Sequence, residues 1–464
     1  MRAFVFAVLV VAIPPAASAQ SAPASTLTLN SAVELALRNH PAVRAANADS
    51  RAATDSIKVA RTAYLPRLDM LWQANRATRN NVFGLLLPQS VVPSVSGPVL
   101  GTSTLDSVWS TAGGLLLSWE AIDFGRRDAR IDLARAEAGI ADAERLVTEL
   151  DIAAAAADAF LAVAAADATV TATRANVQRL ETFATAVGTL VDNQLRAGAE
   201  RSRAQAELAA ARTRVIEAER SAALARLALA ELLGAPDAAI AVDARPLLQP
   251  PAPPAAASFD ATMHPRAVAA DAQVETARAR DRLLDRSYAP RIDLQAALSG
   301  RDVSRAVDGR PAGSGFGLDV PNWAIGVFVT FPSLDIFRIH AERRVEGSRL
   351  QAAAARYDGT LQALQAQDAR ARAVVSAALA IAANTPQQLQ AARDTDAQAR
   401  ARYESGLTSV LEVAEAQRLL TQAESENAVA SLAVWRALLA EAVLRGDLQS
   451  FLNRTRAAQA PAIP

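Results

Sequence analysis

The 464-residue chain contains no cysteine, so it has no disulfides, no thiolate metal ligands and no site for a cysteine-linked lipid. Histidine is nearly absent. Of the three present, His40 and His264 each precede a proline and His340 follows a strand-like stretch, which points to structural roles rather than a metal site. No phosphate-binding glycine loop, zinc-type ligand spacing or nucleophile elbow occurs, so no catalytic residue and no cofactor is expected and the chain reads as a non-enzyme. Neither charge sign predominates, with 48 Lys plus Arg against 48 Asp plus Glu. That balance gives no general attraction to nucleic acid or to an anionic membrane surface. Beyond the N-terminus no run reaches the roughly 18 apolar residues of a spanning helix, so any membrane crossing falls to strands.

The first residues, MRAFVFAVLVVAIPPAASAQ, open with one positive charge, run apolar from Ala3 to Ile13 and close on Ala17-Ser18-Ala19. This pattern predicts a signal peptide over residues 1–19, cleaved before Gln20.

The rest of the chain is a tandem duplication. His40-Pro41 recurs as His264-Pro265, and Tyr64-Leu65-Pro66-Arg67 as Tyr288-Ala289-Pro290-Arg291, both at an offset of 224 residues. Further on, LSWEAIDFGRRDARI from Leu117 resembles VTFPSLDIFRIHAER from Val329, and LRAGAERSRAQAEL from Leu195 resembles YESGLTSVLEVAEA from Tyr403. The expected division is a first repeat at 20–234, a Pro/Ala-rich linker at 235–259, a second repeat at 260–446 and a C-terminal tail at 447–464. Each repeat reads as a helix opened by His-Pro, two strands, a very long helix, a glycine turn and an antiparallel return helix. One extra helix opens the mature chain, where Ser31 and Glu34 have capping-box spacing.

The strands are expected at about 66–79, 108–122, 290–302 and 322–334. In the second of these, Trp109, Leu115, Leu117 and Trp119 alternate with Ser110, Ala112, Gly114 and Ser118. In the fourth, Trp323, Ile325, Val327, Val329 and Phe331 share one face, with Phe328 the exception on the other. Leu68, Met70 and Trp72, and then Ile292, Leu294 and Leu298, repeat the design. From Trp109 to Trp119 the apolar face spans the roughly 9–11 residues of a tilted membrane strand, with aromatics at both ends. A soluble sheet packed on helices would show the same alternation. A sheet in lipid must close on itself, and four strands are too few, so the membrane reading demands oligomerisation.

From about Gly125 to Arg196 there is no proline, and a heptad seam runs through Leu133, Ile140, Val147, Leu161, Ala143, Leu150 and Ala157. The return helix has its own seam in Leu208, Val215, Ala222 and Leu229 with Ala211, Ala218, Ala225 and Leu232. In the second repeat the corresponding helices are expected at about 338–404 and 407–444, with Pro386 kinking or breaking the first.

Taken together, LTLNSAVELALRNHPAVRAANA, YLPRLD, DFGRR, YESGLTSVLEVAEAQ and the duplication resemble the TolC-like outer-membrane efflux and secretion channels. The resemblance covers nearly the whole mature chain. It implies a homotrimer in the outer membrane with four strands per protomer in a twelve-stranded β-barrel and a periplasmic barrel of coiled-coil helices. It also implies a periplasmic adaptor (membrane fusion protein) and an inner-membrane pump as partners. The implied function is the passive exit duct of a tripartite efflux or type I secretion system. On the same ground Gly198, Gly406 and Leu407 fall at the hairpin tips that meet the adaptor, and Tyr403 matches a tip tyrosine that helps close the entrance. Glu412 and Glu415 match acidic rings of the constriction, and Trp72, Trp109, Trp119, Trp323 and Phe331 the membrane-interface aromatics. Departures from the pattern are Thr408 at a latch-arginine position, Leu195 where an aromatic can stand, and Ala204 in place of an acid. Glu200 and Arg201 read as out of register.

Independently of any family, Glu412 and Glu415 are three residues apart and share a helix face. A threefold axis would gather six carboxylates around one lumen and favour cations. A solvated helix face is the competing reading. Two other functions compete: a periplasmic coiled-coil adaptor without a pore, which would lack bilayer-length strands, and an exported hydrolase, for which no constellation exists.

Overall fold

The computed structural model describes residues 26–78, 105–236, 240–253, 258–305 and 310–459. The expected signal peptide and most of the connection between the first two strands lie outside these residues. In chain order the elements are α1 (Leu29–Asn39), α2 (Pro41–Arg61), β1 (Arg67–Thr78), β2 (Ser107–Ile122), α3 (Arg126–Asp192) and α4 (Gly198–Leu232), followed by α5 (Pro265–Arg286), β3 (Arg291–Val303), β4 (Val320–Thr330), α6 (Asp335–Glu404), α7 (Val410–Leu444) and α8 (Leu448–Gln459). The 67 residues of α3 and 70 of α6 make each about 100 Å long at 1.5 Å per residue.

Local chemistry sets the helix starts. Thr28, not Ser31, caps α1: its hydroxyl accepts from the Ser31 amide, and the Ser31 hydroxyl completes a reciprocal box in the role assigned to Glu34. Thr28 sits one residue before the first apolar position of the helix, so the true start lies three residues earlier than the Ser-x-x-Glu spacing suggests. His40 and His264 cap α2 and α5 through Nδ1, which accepts the amides of Ala42 and Arg266, and proline follows each at the first helical position.

His264 does more than its counterpart. Its Nε2 donates to the Val443 carbonyl at 3.2 Å, which ties the start of α5 to the end of α7, and the ring is buried. Burial holds the imidazole below its ordinary pKa and the charge of Arg266 adds to this, while the Val443 carbonyl and Asp151 oppose it. A lowered folded-state pKa means that the unfolded chain binds the proton first. This contribution to stability is therefore complete above the unfolded value of about 6.5 and is lost as pH falls below it. His264→Ala is expected to cost about 0.5–2 kcal/mol at neutral pH through the lost cap. It should also flatten the acid side of the stability profile, read as unfolding midpoints of detergent-solubilised protein between about pH 8 and about pH 5.

α6 runs unbroken through Pro386, so of the kink or break expected there the break does not occur. Proline deprives the Ala382 carbonyl of its amide partner, and the Thr385 hydroxyl reaches that same carbonyl at 3.5 Å. Packing along the remaining length supplies what the one missing bond does not.

α3 packs against α1, α2, α4, α5 and α7, and α6 against α5 and α7. α4 follows the expected seam, with Ala204, Ala211, Ala222 and Leu229 buried. α3 departs from its own: Ala143, Leu150, Ala157 and Leu161 are buried, but so are Ile131, Ala138, Ala156, Phe160 and Val163. A helix with neighbours on several sides buries a broad surface, not one coiled-coil stripe. The main core lies halfway along α3 and α6 and toward the C-terminal ends of α4 and α7, where Phe160, Leu161, Leu229, Leu432 and Trp435 are fully buried. The linker and the tail both belong to it. Leu27 bridges Val242 in parallel, Leu247 is buried, the Trp435 indole donates to the Gln249 carbonyl at 3.1 Å, and Phe451 of α8 meets the Trp435 ring edge-on.

The four strands form one antiparallel sheet in the order β1-β2-β3-β4, so β1 and β4 are open edges. The register aligns Met70 with Leu115, Leu115 with Leu298, and Leu298 with Trp323. All four side chains are exposed on one face, Trp323 to 79%, together with Leu68, Trp72, Trp109, Trp119, Ile325, Val327, Val329 and, just past the end of β4, Phe331. β4 begins at Val320 and stops at Thr330, short of the expected 334. The opposite face carries Gln295 and Ser299 but is not wholly polar. Leu116 and Ala297 form a buried cluster with Ala324 and Phe328, whose ring lies over Gly326, where a Cβ would stand 3.0 Å from Cε2. Phe328 therefore breaks the alternation because it has an apolar pocket on the polar side.

Candidate entrance site at the helix-hairpin tips

Both long hairpins turn in the same way. Gln194 (φ 60°) and Gly406 (φ 76°) take the left-handed conformation, and the following amides close the turns, Leu195 onto the Leu190 carbonyl (2.8 Å) and Leu407 onto Arg402 (2.9 Å). The equivalence offset at the tips is therefore 212 residues, not the 208 implied by matching Leu195 with Tyr403. The change from 224 arises between the strands: the β1–β2 connection spans residues 79–106 and the β3–β4 connection 304–319, which is 12 residues shorter. One consequence is that Gly198 does not reverse the chain. It is the first residue of α4, and Val410 is its structural counterpart. Leu195 and Leu407 are true counterparts, 68% and 71% exposed at the two tips. Glu200 is the counterpart of Glu412, and Arg196 of Thr408.

Tyr403 is 3% exposed. Its ring packs edge-on against Phe183 at 5.2 Å and, with Val187, Ala204, Val410 and Val413, forms an apolar cluster that joins the two hairpins. The hydroxyl donates to Glu200 Oε2 at 2.9 Å. Arg196 closes the other side: it donates to the Tyr403 carbonyl at 2.8 Å, its guanidinium lies 4.7 Å above the ring, and Nη1 is 4.0 Å from Glu200. Burial, the bond to Glu200 and that carboxylate's charge push the Tyr403 hydroxyl up to about 12. It thus remains a proton donor at every physiological pH. Glu200 reaches Tyr403 from one helical turn before Ala204, and Arg196 reaches it from the same first hairpin. Sequence reading missed Phe183, Glu200 and Arg196 in this role. Carrying the 212-residue offset of DFGRR and LDIFRI through to the tips would have paired Glu200 with Glu412.

Glu412 and Glu415 are exposed on α7. They line a groove with Thr395, Gln398, Arg402 and Arg418, and Glu412 is 3.9 Å from the Arg402 guanidinium. Arg418 is engaged by Glu207 at 3.2 Å. The acidic pair thus lies in solvent with one cation at its edge.

At the far end of α3, Asp123 pairs with Arg127, whose guanidinium lies 4.5 Å over the Tyr64 ring, and the Tyr64 hydroxyl donates to Asp128. Burial acts to raise the Asp123 carboxyl, but the Arg127 amide and guanidinium and the Gly125 amide hold it below the ordinary range. Trp119 closes this junction from the sheet by donating to the Tyr64 carbonyl at 3.0 Å. In the second repeat the equivalent pair is Tyr288 and His340, with rings 5.4 Å apart. Strands and helices are thus rigidly coupled twice, by different chemistry.

Among the described residues no group of three or more His, Cys, Asp or Glu is arranged to hold a metal. A sequence model described as outer membrane efflux protein matches residues 32–235 and 263–444. The fold is similar to the outer membrane protein VceC of Vibrio cholerae (20% identity, TM-score 0.70, covering 90% of this chain and 96% of that one). It is similar also to the CmeC outer membrane channel of Campylobacter jejuni (14%, 0.72, 94% and 90%) and to the open state of the MtrE outer membrane channel of Neisseria gonorrhoeae (20%, 0.69, 90% and 89%). A search of curated protein sequences gave no significant match.

Proposed function

The chain belongs to the outer membrane efflux protein family, and on that premise we propose that three copies form one duct with a gate at its periplasmic tips. It is an outer-membrane exit channel with a large periplasmic helical portion. The observation that carries the trimer is the sheet: a four-stranded sheet with an apolar outer face and two open edges satisfies its backbone in lipid only by pairing β4 with β1 of another copy. Three copies give twelve strands. The helices support the same closure. α3 and α7 join the two hairpins within a protomer, and α4 and α6 are left with exposed Ile216, Leu224 and Leu227, and Val374 and Ile381, on the flanks where neighbours would meet.

The partners are a periplasmic adaptor, taken up at the tips through Leu195 and Leu407, and an inner-membrane pump that supplies the energy. Large leucines exposed at two equivalent turns are the feature that supports an adaptor contact. Opening would consist of separating the hairpins that Tyr403, Glu200 and Arg196 hold together, driven by adaptor contacts that favour the separated arrangement.

The deciding experiment is single-channel conductance of detergent-extracted protein in planar bilayers. A folded trimer that conducts supports the duct, and a soluble, non-conducting monomer refutes it. The double substitution Glu412→Gln/Glu415→Gln tests the entrance in the same assay. Loss of six carboxylates around the lumen is expected to shift the reversal potential away from cation selectivity. An unchanged reversal potential would make both acids an ordinary solvated face.

A further inference from the structure

The outer face of the sheet has a gap in its apolar belt. Where β2 and β3 run toward the end remote from the helices, Gly113 pairs with Gly300 and Thr111 with Asp302. These rows present two hydrogens, a hydroxyl and a carboxylate, although the next row carries Leu115 and Leu298 and Trp72 stands level with Gly113. Left bare, the strip would put a carboxylate and thinly covered backbone into the lipid face of an outer-membrane barrel, at a cost of several kcal/mol per unpaired group.

The β3–β4 connection fills the gap. Residues 313–318, Gly-Ser-Gly-Phe-Gly-Leu, fold back over the outer face instead of continuing away from it. Leu318 covers the glycine row: a Cβ on Gly300 would lie 2.8 Å from Leu318 Cβ, and one on Gly113 would lie 3.5 Å from its Cδ1. Phe316 lies on Trp109, with ring centroids 5.4 Å apart. The polar groups beneath are consumed. The Asp302 carboxylate accepts the Gly317 amide (3.0 Å) and the Ser314 hydroxyl (3.2 Å) and is left 5% exposed, and the Thr111 hydroxyl donates to the Gly317 carbonyl at 2.7 Å. What the segment turns outward is Phe316, 58% exposed, and Leu318, 49% exposed.

We infer that residues 313–318 are a lipid-contact element of the outer leaflet, with Phe316 and Leu318 against acyl chains and Asp302 as the positioning residue that pins the segment to the barrel wall. Continuity identifies the occupant. Phe316 and Leu318 join Trp72 and Trp109 in one surface that runs on into Met70, Leu298 and Trp323, so whatever solvates that belt solvates them. The segment lies on the two central strands, away from the β1 and β4 edges where another copy would pair. At about 3.4 Å per residue, the glycine row under Leu318 lies roughly 14 Å along the strand from Trp109, so Leu318 is the deeper of the two.

The inference depends on the sheet lying in the outer membrane, and the experiment separates the two. Because the chain has no cysteine, Phe316→Cys, Leu318→Cys and Trp323→Cys can each carry a single spin label in liposome-reconstituted protein. Access is then compared for oxygen, which partitions into lipid, and for a water-soluble nickel chelate. Oxygen is expected to predominate at 318 and at 323, with 316 intermediate. Nickel predominating at both loop positions while 323 reads lipid would overturn the lipid contact alone. Low access to both probes at 316 and 318 would mean a protein contact and would overturn it equally. Nickel predominating at 323 would overturn both the belt and the loop. Asp302→Ala is expected to raise nickel access at 316 severalfold and to leave 323 unchanged. No change at 316 would remove Asp302 from its positioning role.

Discussion

Tyr403→Phe is expected to raise the open probability of the channel about tenfold to hundredfold while leaving the trimer folded. The substitution keeps the ring against Phe183 and under Arg196 and removes only the bond to Glu200. A hydrogen bond to a charged partner contributes about 1.5–3 kcal/mol, and each 1.4 kcal/mol is a tenfold change in an equilibrium. Three protomers would each lose this term, so coupled opening would magnify the change. Glu200→Gln should act in the same direction but less, because the amide oxygen still accepts from Tyr403 and only the Arg196 ion pair is lost. Arg196→Ala removes the bond to the Tyr403 carbonyl as well as the cation over the ring. The measurement is open probability in planar bilayers, with a double-mutant cycle over Tyr403 and Glu200 to isolate the pair. Wild-type gating in Tyr403→Phe and in Arg196→Ala, with trimers intact, would show that the hairpins are held elsewhere.

The register of that cluster is where sequence reading failed, and the reason is physical. A slip of four residues is close to one helical turn, so matching Leu195 with Tyr403 preserved the face of every seam residue and cost nothing in hydrophobic pattern. Only the turn chemistry distinguishes 208 from 212, and the first tip hides it by placing Gln194 where the second uses Gly406. The strands were legible because period-two alternation between tryptophans has few competing explanations, and the α4 seam because that helix buries a single stripe. α3 was not, since six other helices touch it. Neither the fold-back of residues 313–318 nor the apolar seat of Phe328 leaves a local signal, because the first depends on Gly113 and Gly300 and the second on Leu116 and Ala297, residues of other strands that become neighbours only in the folded sheet.

Ile325→Arg is expected to abolish the assembled trimer, and Asn322→Arg, on the opposite face of the same strand, is expected to leave it. Ile325 is exposed in the middle of β4, level with Ala296 and Leu117, between the aromatics at the two ends of the belt. An arginine on the lipid face near the midplane costs about 2–4 kcal/mol in each chain, a large share of a typical folding stability of about 5–15 kcal/mol. β4 is also an edge that must pair with another chain, so any distortion that lets the arginine reach water disturbs the closing seam. Asn322 faces the other side, where its one described side-chain bond is to its own strand at Val320, and a long cation there can extend into water. Heat-stable trimer on gels and outer-membrane yield measure both variants. Equal tolerance at 322 and 325 would mean that both faces of the strand are wet and that the apolar belt does not face lipid. Loss at 325 alone would show that one strand of this chain separates bilayer from lumen at single-residue resolution, the property on which closure of the barrel by three copies depends.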